Sequence, residues 1–195
     1  IKDLVNFIIK FIYKMTKSTK INAAILIIGN EILSGRTQDT NTSTLASWLN
    51  AIGVKVNEVR VIPDVEKIIV QTLNVLRKEN NYVFTTGGIG PTHDDITAQA
   101  VSKAFGRKYE IHKEAFKILE AYYQSGEFNE GRQRMVWMPE SAELILNPTS
   151  GAPGFSVENV FCLPGVPSIM KSMLGGLKNK IVGGEPILSH TISLK

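Results

Sequence analysis

The strongest chemical signal in the sequence is the glycine-rich run at residues 82–97, YVFTTGGIGPTHDDIT. A predicted strand leads into Gly87, Gly88 and Gly90, and a helix is predicted to follow. Because glycine has no Cβ, backbone N–H groups can approach a ligand closely here, and a helix N-terminus adds unpaired donors. The run is neither a Walker A loop nor the Gly-x-Gly-x-x-Gly of dinucleotide-binding folds. It predicts a loop that binds a phosphate or diphosphate, with a plain strand-to-helix turn as the alternative.

Carboxylates follow the glycines directly. His93, Asp94 and Asp95 are predicted to open the helix, and Thr92 with Asp95 has the T-x-x-D spacing of a capping box. A carboxylate beside a phosphate needs a divalent cation between them. Adjacent residues point in different directions, so we expect at most one of the two aspartates to contact a metal, and we expect His93 to lie on the surface.

Other polar residues follow other predicted strands, at the sheet edge where open α/β sheets bind ligands. Asp64 follows the second strand, where N-capping the next helix is an equally good interpretation. Residues 163–167, LPGVP, form a further strand-to-helix loop. Residues 29–41 follow the first strand, and their candidates for orienting a ring or a ribose are Glu31, Asp39 and Asn41. Three such loops on one edge predict a pocket.

The sequence offers no covalent nucleophile. It has no Gly-x-Ser-x-Gly elbow, and Cys162 lies inside an apolar strand, where a core role is expected. Metal-assisted attack by water or phosphate is therefore the favoured chemistry.

The predicted elements alternate between strands and helices, which is typical of a three-layer α/β/α domain with a mostly parallel mixed sheet. Strands are predicted over residues 23–29, 54–62, 82–86, 142–147, 158–163 and 189–194. Helices are predicted over 40–52, 65–79, from the glycine loop to about 105, and over 112–124, 129–136 and 167–178. Thr40 and Asn41 are the predicted caps of the first helix. Residues 107–141 interrupt the alternation and are interpreted as a helical insertion, and 148–154 as a loop.

Charge is concentrated at the start of the chain. Residues 1–20 contain five of the 22 Lys and Arg residues but one of the 18 Asp and Glu residues, so residues 21–195 are electrically balanced. A nucleic-acid partner is therefore not expected. Residues 4–13 are too short and too polar for a membrane span. We interpret residues 1–20 as a basic leader, with Met15 as the expected natural start, and a single cysteine is typical of a cytoplasmic protein.

The segments TTGGIGPTHDDIT, VIPD at 61–64 and LPGVP at 163–167 together resemble the molybdopterin-binding (MoCF) domain. The resemblance is closer to the N-terminal domain of competence/damage-inducible protein A (CinA). The run IIGNEILSGRTQDTNT is similar to the molybdopterin-binding-like domain of eukaryotic FAD synthase. The resemblance covers residues 22–180 and implies a three-layer α/β fold, assembled as a homo-oligomer, either a dimer or a trimer.

The resemblance also implies roles for particular residues. Asp95 and Asp64 match functional aspartates of the family, and Asp95 and Asp94 are the implied metal ligands. The implied substrate-binding residues are Gly29, Glu31, Asn41, Thr86, Gly87, Gly88, Gly90, Thr97, Pro164 and Gly165. CinA-type domains are linked to metal-dependent hydrolysis of ADP-ribose, and the FAD synthase domain to cleavage of the FAD diphosphate. The C-terminal amidase domain of CinA is absent from these 195 residues, so amidase activity is not expected of them.

The leading hypothesis is thus a pyrophosphatase that uses Mg²⁺, Mn²⁺ or Co²⁺ to cleave ADP-ribose, FAD or a related nucleotide diphosphate. One alternative is molybdopterin binding with adenylyl transfer in molybdenum cofactor synthesis, although the residues near Arg36 and Thr37 follow the CinA and FAD synthase pattern. The others are a non-catalytic pterin- or nucleotide-binding module and a purely structural role in an oligomer.

Overall fold

A computed structural model describes residues 21–184. The predicted leader at 1–20 and the predicted strand at 189–194 lie outside the described residues. The strands are β1 (Asn22–Ile28), β2 (Lys55–Ile62), β3 (Tyr82–Thr86), β4 (Tyr109–Ile111), β5 (Trp137–Pro139), β6 (Glu143–Ile145), β7 (Gly154–Val157) and β8 (Val160–Leu163). The α-helices are α1 (Asn30–Leu33), α2 (Asn41–Ala51), α3 (Glu66–Glu79), α4 (Thr97–Ala104), α5 (Lys113–Tyr122), α6 (Glu130–Gln133) and α7 (Pro167–Leu177). A 3₁₀ turn spans Arg134–Val136.

A six-stranded sheet with the order β2-β1-β3-β8-β7-β6 forms the middle layer. The four strands β2, β1, β3 and β8 are parallel, whereas β7 runs antiparallel to both of its neighbours. The predicted three-layer fold with a mostly parallel mixed sheet is therefore confirmed. In this topology the carboxyl ends of β1, β2, β3 and β8 meet at one edge, as the sequence pattern required.

The sheet is covered on both faces, which explains the unbroken apolar character of β1. Ala24, Leu26 and Ile28 belong to one buried cluster, with residues of α3 and α4. The intervening residues of β1 belong to the other cluster, with residues of α2 and α7. Within residues 21–184, no helix combines the length and the apolar composition needed to cross a membrane.

The predicted helical insertion at 107–141 is wrong in part, because it also contains a two-stranded sheet. β4 and β5 pair antiparallel, with Tyr109 opposite Pro139 and Ile111 opposite Trp137. We call these two strands the ribbon. Each strand has only three residues, too few for a recognisable alternation. Their pairing depends on residues that are 26 to 30 positions apart in the chain.

The strand predicted over 158–163 begins at residue 160 in the structure, and β7, which precedes it, was not predicted. β7 and β8 form a hairpin whose turn contains Glu158, at a φ of 51°. A left-handed residue cannot extend a strand, so β8 begins at Val160. Gly154 opens β7, and a Cβ there would collide with the carbonyl oxygen of Cys162. This glycine, which favoured a loop in the sequence, instead permits close strand packing.

Candidate functional site

The glycine loop is held tightly against the ends of its neighbouring strands. Gly87 has a φ of 97°, and a Cβ on it would overlap the carbonyl oxygen of Ile28. Its N–H donates to the carbonyl of Leu163 at 3.1 Å. Gly88 has a φ of 68°, and a Cβ there would strike the side chain of Thr97. The loop therefore requires glycine at both positions, both for backbone conformation and for space.

The helix does not follow the glycines directly, so the prediction that His93, Asp94 and Asp95 open it is wrong. α4 begins at Thr97, whose N–H donates to Gly88 O at 2.9 Å and whose Oγ1 donates to Gly87 O at 3.0 Å. These bonds use the first amide of α4 to fix the loop. The reason for the difference is that residues 89–96 form turns of their own.

Asp95 closes one of those turns. Its Oδ2 accepts hydrogen bonds from Thr92 N at 2.8 Å and from Thr92 Oγ1 at 2.6 Å. This is one half of the predicted capping box, and it stabilises a turn before the helix rather than the helix terminus itself. Asp95 Oδ2 also lies 2.8 Å from where a Cβ on Gly90 would stand, so Gly90 makes room for the carboxylate.

Asp94 points away from Asp95, as expected for adjacent residues. Its carboxylate lies 3.1 Å from Nε2 of His93, and both side chains are more than three-quarters exposed. His93 is thus a surface residue, as predicted.

Asp64 lies at the same edge of the sheet, and it does not cap α3. The N-cap position belongs to Val65, and the Asp64 Oδ2 accepts a hydrogen bond from Asn30 N at 2.8 Å instead. Burial raises the pKa of Asp64 above its usual range, and the nearby Glu31 and Asp94 carboxylates raise it further, against the lowering effect of the Asn30 bond. Three acidic groups therefore share the electrostatic environment at this edge.

A cleft that is open to solvent lies between these loops. We call it the polar cleft, and its walls include Glu31, Thr37, Asp39, Asn41, Thr86, Gly87 and Gly165. Three of the four predicted loops at the sheet edge meet there: 29–41, the glycine loop and 163–167. Pro167 lines the cleft, and Pro164 does not. Gly29 lies under the Glu31 carboxylate, which occupies the space a side chain would take.

Two side chains that the sequence proposed for ligand binding form hydrogen bonds within the protein. Asp39 Oδ1 accepts from Asn41 N at 2.9 Å and from Thr42 N at 3.2 Å, so Asp39 caps α2. Thr40 occupies the predicted cap position but makes no side-chain cap bond. Asn41 instead donates its Nδ2 to Gly165 O at 2.8 Å, which ties the first loop to the last across 124 residues.

The polar cleft contains buried polar atoms that have no partner within residues 21–184. Asn41 is 5% exposed and Thr86 is 1% exposed, yet Asn41 Oδ1 and Thr86 Oγ1 form no hydrogen bond there. Leaving such an atom unpaired costs about 1–3 kcal/mol. Both residues line the cleft, so a bound ligand could supply the missing partners.

The carboxylates at this edge are better suited to a cation that a bound substrate also coordinates than to a cation held by protein side chains alone. Among the described residues, no group of three or more His, Cys, Asp or Glu side chains could hold a metal ion. Mg²⁺ commonly needs only one or two carboxylates when the substrate's phosphates supply other ligands. Asp64, with Glu31 and Asp94 near enough to affect its pKa, and Asp95, beside Gly90, are the carboxylates at this edge of the sheet.

Sequence reasoning missed a second, shallow cleft. We call it the aromatic cleft, and its walls include Ile89, Gly90, Asp95, Tyr109, Arg134 and Trp137. Rings of Tyr109 and Trp137 lie 5.4 Å apart between centroids. Burial raises the pKa of Tyr109, while nearby Arg134 lowers it. No local pattern indicated this site, because the ribbon brings its residues together.

Cys162 is fully buried, and burial raises its thiol pKa to about 12. A thiol in this state is not a nucleophile at neutral pH, which agrees with the expected core role.

Comparison with known proteins places this geometry in a family. Residues 24–184 match the model of a family described as a probable molybdopterin-binding domain. A protein of Archaeoglobus fulgidus is 37% identical over 161 residues, covering 83% of this chain and 69% of the relative. A CinA-like protein of Citrifermentans bemidjiense is 39% identical over 157 residues, covering 77% of this chain but 38% of the relative. The chain thus spans between about two-fifths and two-thirds of the length of these curated relatives.

Solved structures give the same answer. A protein named CinA from Thermoplasma acidophilum, described as of unknown function, superposes with a TM-score of 0.76 at 32% identity. That match covers 82% of this chain and 96% of the other. The molybdopterin biosynthesis enzyme MoaB of Thermus thermophilus shares the fold, with a TM-score of 0.55 at 17% identity over 80% of this chain and 89% of its own. The chain therefore belongs to the molybdopterin-binding domain family, and within it to the CinA-like type.

Proposed function

We propose that this protein is a divalent-metal-dependent pyrophosphatase that cleaves a nucleotide diphosphate such as ADP-ribose or FAD. The observation that carries the proposal is the pair of buried, unpartnered atoms, Asn41 Oδ1 and Thr86 Oγ1, beside the glycine loop. Their positions argue for a ligand with both hydrogen-bond donors and acceptors.

The chemistry of these atoms favours a nucleoside in the polar cleft. Asn41 Oδ1 can only accept, because an amide oxygen carries no proton, and the Nδ2 of the same side chain already donates to Gly165. An ionised phosphate has no proton to donate, whereas a ribose hydroxyl or a base N–H has one. The Thr86 hydroxyl can either donate or accept. Both atoms therefore suit the nucleoside, and the diphosphate would lie on the glycine loop.

The loop suits a diphosphate because its backbone stays available. Within residues 21–184, the hydrogen bonds do not use the N–H groups of Gly88, Ile89 or Gly90. Amides without protein acceptors at a strand end are suited to bind anionic oxygens. The tight contact of Gly87 with Ile28 fixes the start of this segment before a ligand arrives.

Asp95, together with Asp64, is the proposed holder of the cation. Oδ2 of Asp95 is engaged by Thr92, which leaves Oδ1 to face a ligand. Asp64 also uses one oxygen, for Asn30, and keeps the other. A divalent cation between them would neutralise charge on the leaving phosphate and activate water.

The test is release of AMP from ADP-ribose and from FAD with Mg²⁺, Mn²⁺ or Co²⁺, compared with Asp95→Asn. We expect the variant to lose at least about 100-fold in kcat, because an amide cannot replace the charge that holds the cation. Its melting temperature should stay close to that of the wild type, because the amide oxygen still accepts from Thr92. Glu120→Gln, on the exposed side of α5, removes the same charge far from the cleft and serves as the matched control.

A fully active Asp95→Asn variant would remove Asp95 from the mechanism. If the folded wild type releases no AMP from either substrate with any of the three metals, the pyrophosphatase proposal is wrong. Binding without turnover would then favour a nucleotide- or pterin-binding module.

A further inference from the structure

A further cavity lies away from the glycine loop, beside the hairpin that joins β7 to β8. Its volume is about 310 Å³, which is at the lower end of the range for small-molecule sites. We call it the distal pocket, and its walls include Arg107, Glu143, Ser156, Glu158, Phe161 and Lys180.

The sheet forms the floor of the distal pocket. Glu143 of β6 lies opposite Ser156 of β7, which in turn lies opposite Phe161 of β8. Residues opposite one another in neighbouring strands share a face of the sheet, and Phe161 belongs to the buried cluster that includes residues of α7. The pocket therefore opens on the α7 face. Because β8 ends at Leu163, whose carbonyl accepts from Gly87 N, the polar cleft lies beyond the opposite end of this strand and is a separate site.

The hydroxyl of Ser156 lines this pocket without a hydrogen-bond partner. Ser156 is only 5% exposed, and its Oγ forms no hydrogen bond with residues 21–184. Buried polar side chains are nearly always hydrogen-bonded, so this hydroxyl is suited to bond an atom of a ligand. A serine hydroxyl can either donate or accept.

Two ion pairs line the distal pocket and balance its charge. Arg107 Nη2 lies 3.3 Å from Glu158 Oε1, and Lys180 Nζ lies 3.2 Å from Glu143 Oε2. Partly exposed pairs of this kind contribute little stability, so a ligand can share or replace their partners. Arg107 is held in place by a second bond, from its Nη1 to the carbonyl of Glu140 at 3.1 Å.

The backbone is strained at the same pocket. Glu158 lies in the two-residue turn between β7 and β8 with a φ of 51°, where glycine is the favoured residue. Within residues 21–184, the only other residue besides glycine that has a positive φ is Ser141, which also lines the distal pocket. Residues held in such conformations cluster at binding sites, which agrees with a ligand here.

We propose that the distal pocket binds a free amino acid in its zwitterionic form. The ammonium group donates to the carboxylates of Glu143 and Glu158. The carboxylate accepts from Arg107 and Lys180, and from the hydroxyl of Ser156. A zwitterion presents an opposite charge to every charged group of the pocket, whereas an anion faces two carboxylates and a cation faces two basic side chains. This site goes beyond the proposed function and does not depend on it.

The test is calorimetric titration of the 195-residue chain with each standard amino acid, and then with the N-acetyl and amide derivatives of the tightest binder. Both derivatives keep the side chain, but the first has no ammonium group and the second has no carboxylate. We expect at least one amino acid to bind saturably. Each derivative should bind at least about tenfold more weakly, because hydrogen bonds to a charged group are lost.

Two substitutions assign these charges to residues. Glu143→Gln should weaken the amino acid at least about fivefold and leave the weaker binding of its N-acetyl derivative unchanged, since that derivative has no ammonium group. Arg107→Gln should show the converse pattern, with the amino acid weakened and its amide unaffected. Glu120→Gln and Lys117→Gln, on the exposed side of α5, remove the same charges elsewhere and should bind as the wild type does.

Ser156→Ala distinguishes binding from folding. Because the hydroxyl has no partner in the described residues, the variant should unfold at a temperature no lower than the wild type and yet bind the amino acid several-fold more weakly. The proposal is overturned if no standard amino acid binds, or if both derivatives bind as tightly as the parent. It is also overturned if Glu143→Gln, Arg107→Gln and Ser156→Ala all bind the amino acid as the wild type does.

Discussion

The two clefts on either side of the glycine loop are built in different ways. The polar cleft is made by loops that leave parallel strands, and it is closed by close backbone contacts, such as that of Gly87 with Ile28. The aromatic cleft is made in part by the same loop and in part by the ribbon, where Ile111 and Trp137 are exposed. We therefore expect the polar cleft to tolerate few substitutions, whereas the side chains of the aromatic cleft can vary without loss of the fold.

The largest expected effect is on the free energy of unfolding, and it compares a glycine of the polar cleft with a glycine near the ribbon. Gly87 and Gly106 both have a positive φ, but a Cβ would collide with a carbonyl only at Gly87, while Gly106 faces open space. Gly87→Ala should lower the free energy of unfolding by about 3 kcal/mol or more, because strain and overlap add. Gly106→Ala, beside the ribbon, should cost about 1 kcal/mol from backbone strain alone. Urea unfolding of both variants measures the difference, and equal losses would contradict the contrast.

A smaller effect, at Thr86, distinguishes a role in ligand binding from a contribution to protein stability. Thr86 Oγ1 is buried and has no partner within residues 21–184, so Thr86→Val should stabilise the ligand-free protein by about 1 kcal/mol. The same change should weaken AMP binding several-fold, because a hydrogen bond to the ligand is lost.

Thr85 is the matched control, because its hydroxyl is also buried, faces only the weakly polar Cys162 thiol on the neighbouring strand and does not line the polar cleft. Thr85→Val should raise the thermal unfolding temperature in the same direction and leave AMP binding unchanged. Equal losses of AMP affinity in the two variants would show that Thr86 does not contact the ligand.

The smallest expected effect concerns Asp64, at the carboxyl end of β2. The pKa of Asp64 is raised by burial and by Glu31 and Asp94, so the ionised form is disfavoured in the folded state. Asp64→Asn keeps an acceptor for Asn30 and removes the charge. At neutral pH the ligand-free variant should be more stable than the wild type by about 0.5 kcal/mol.

The pH dependence of that difference follows from the direction of the shift. A raised pKa means that the folded protein binds the proton more tightly than the unfolded chain, so the wild type loses stability as the pH rises through the pKa of Asp64. The advantage of Asp64→Asn should therefore vanish in acid, where Asp64 is protonated. Thermal unfolding across the acidic range checks this, and a wild type that is the more stable protein at neutral pH would contradict it.

Much of the polar cleft could be predicted because its causes are local. An apolar run followed by glycine or aspartate predicts a strand end, and parallel strands place their carboxyl ends on one edge. What could not be predicted was the use of each side chain. Asp39 caps a helix, and Asn41 reaches Gly165 far along the chain. Residue type alone does not distinguish a cap from a ligand contact, because both use the same oxygen atoms.

The sequence by itself determined the layered α/β fold, the edge of the sheet that carries the site and the need for glycine in the loop after β3. These depend on side-chain periodicity and on backbone conformation, which neighbouring residues dictate. Only the tertiary structure decided that Tyr109, Arg134 and Trp137 share a cleft with Asp95. Tyr109 and Trp137 lie in three-residue strands that have no periodicity of their own, and Arg134 lies in the 3₁₀ turn that leads into β5. The strands acquire their pairing from the surface against which the ribbon packs.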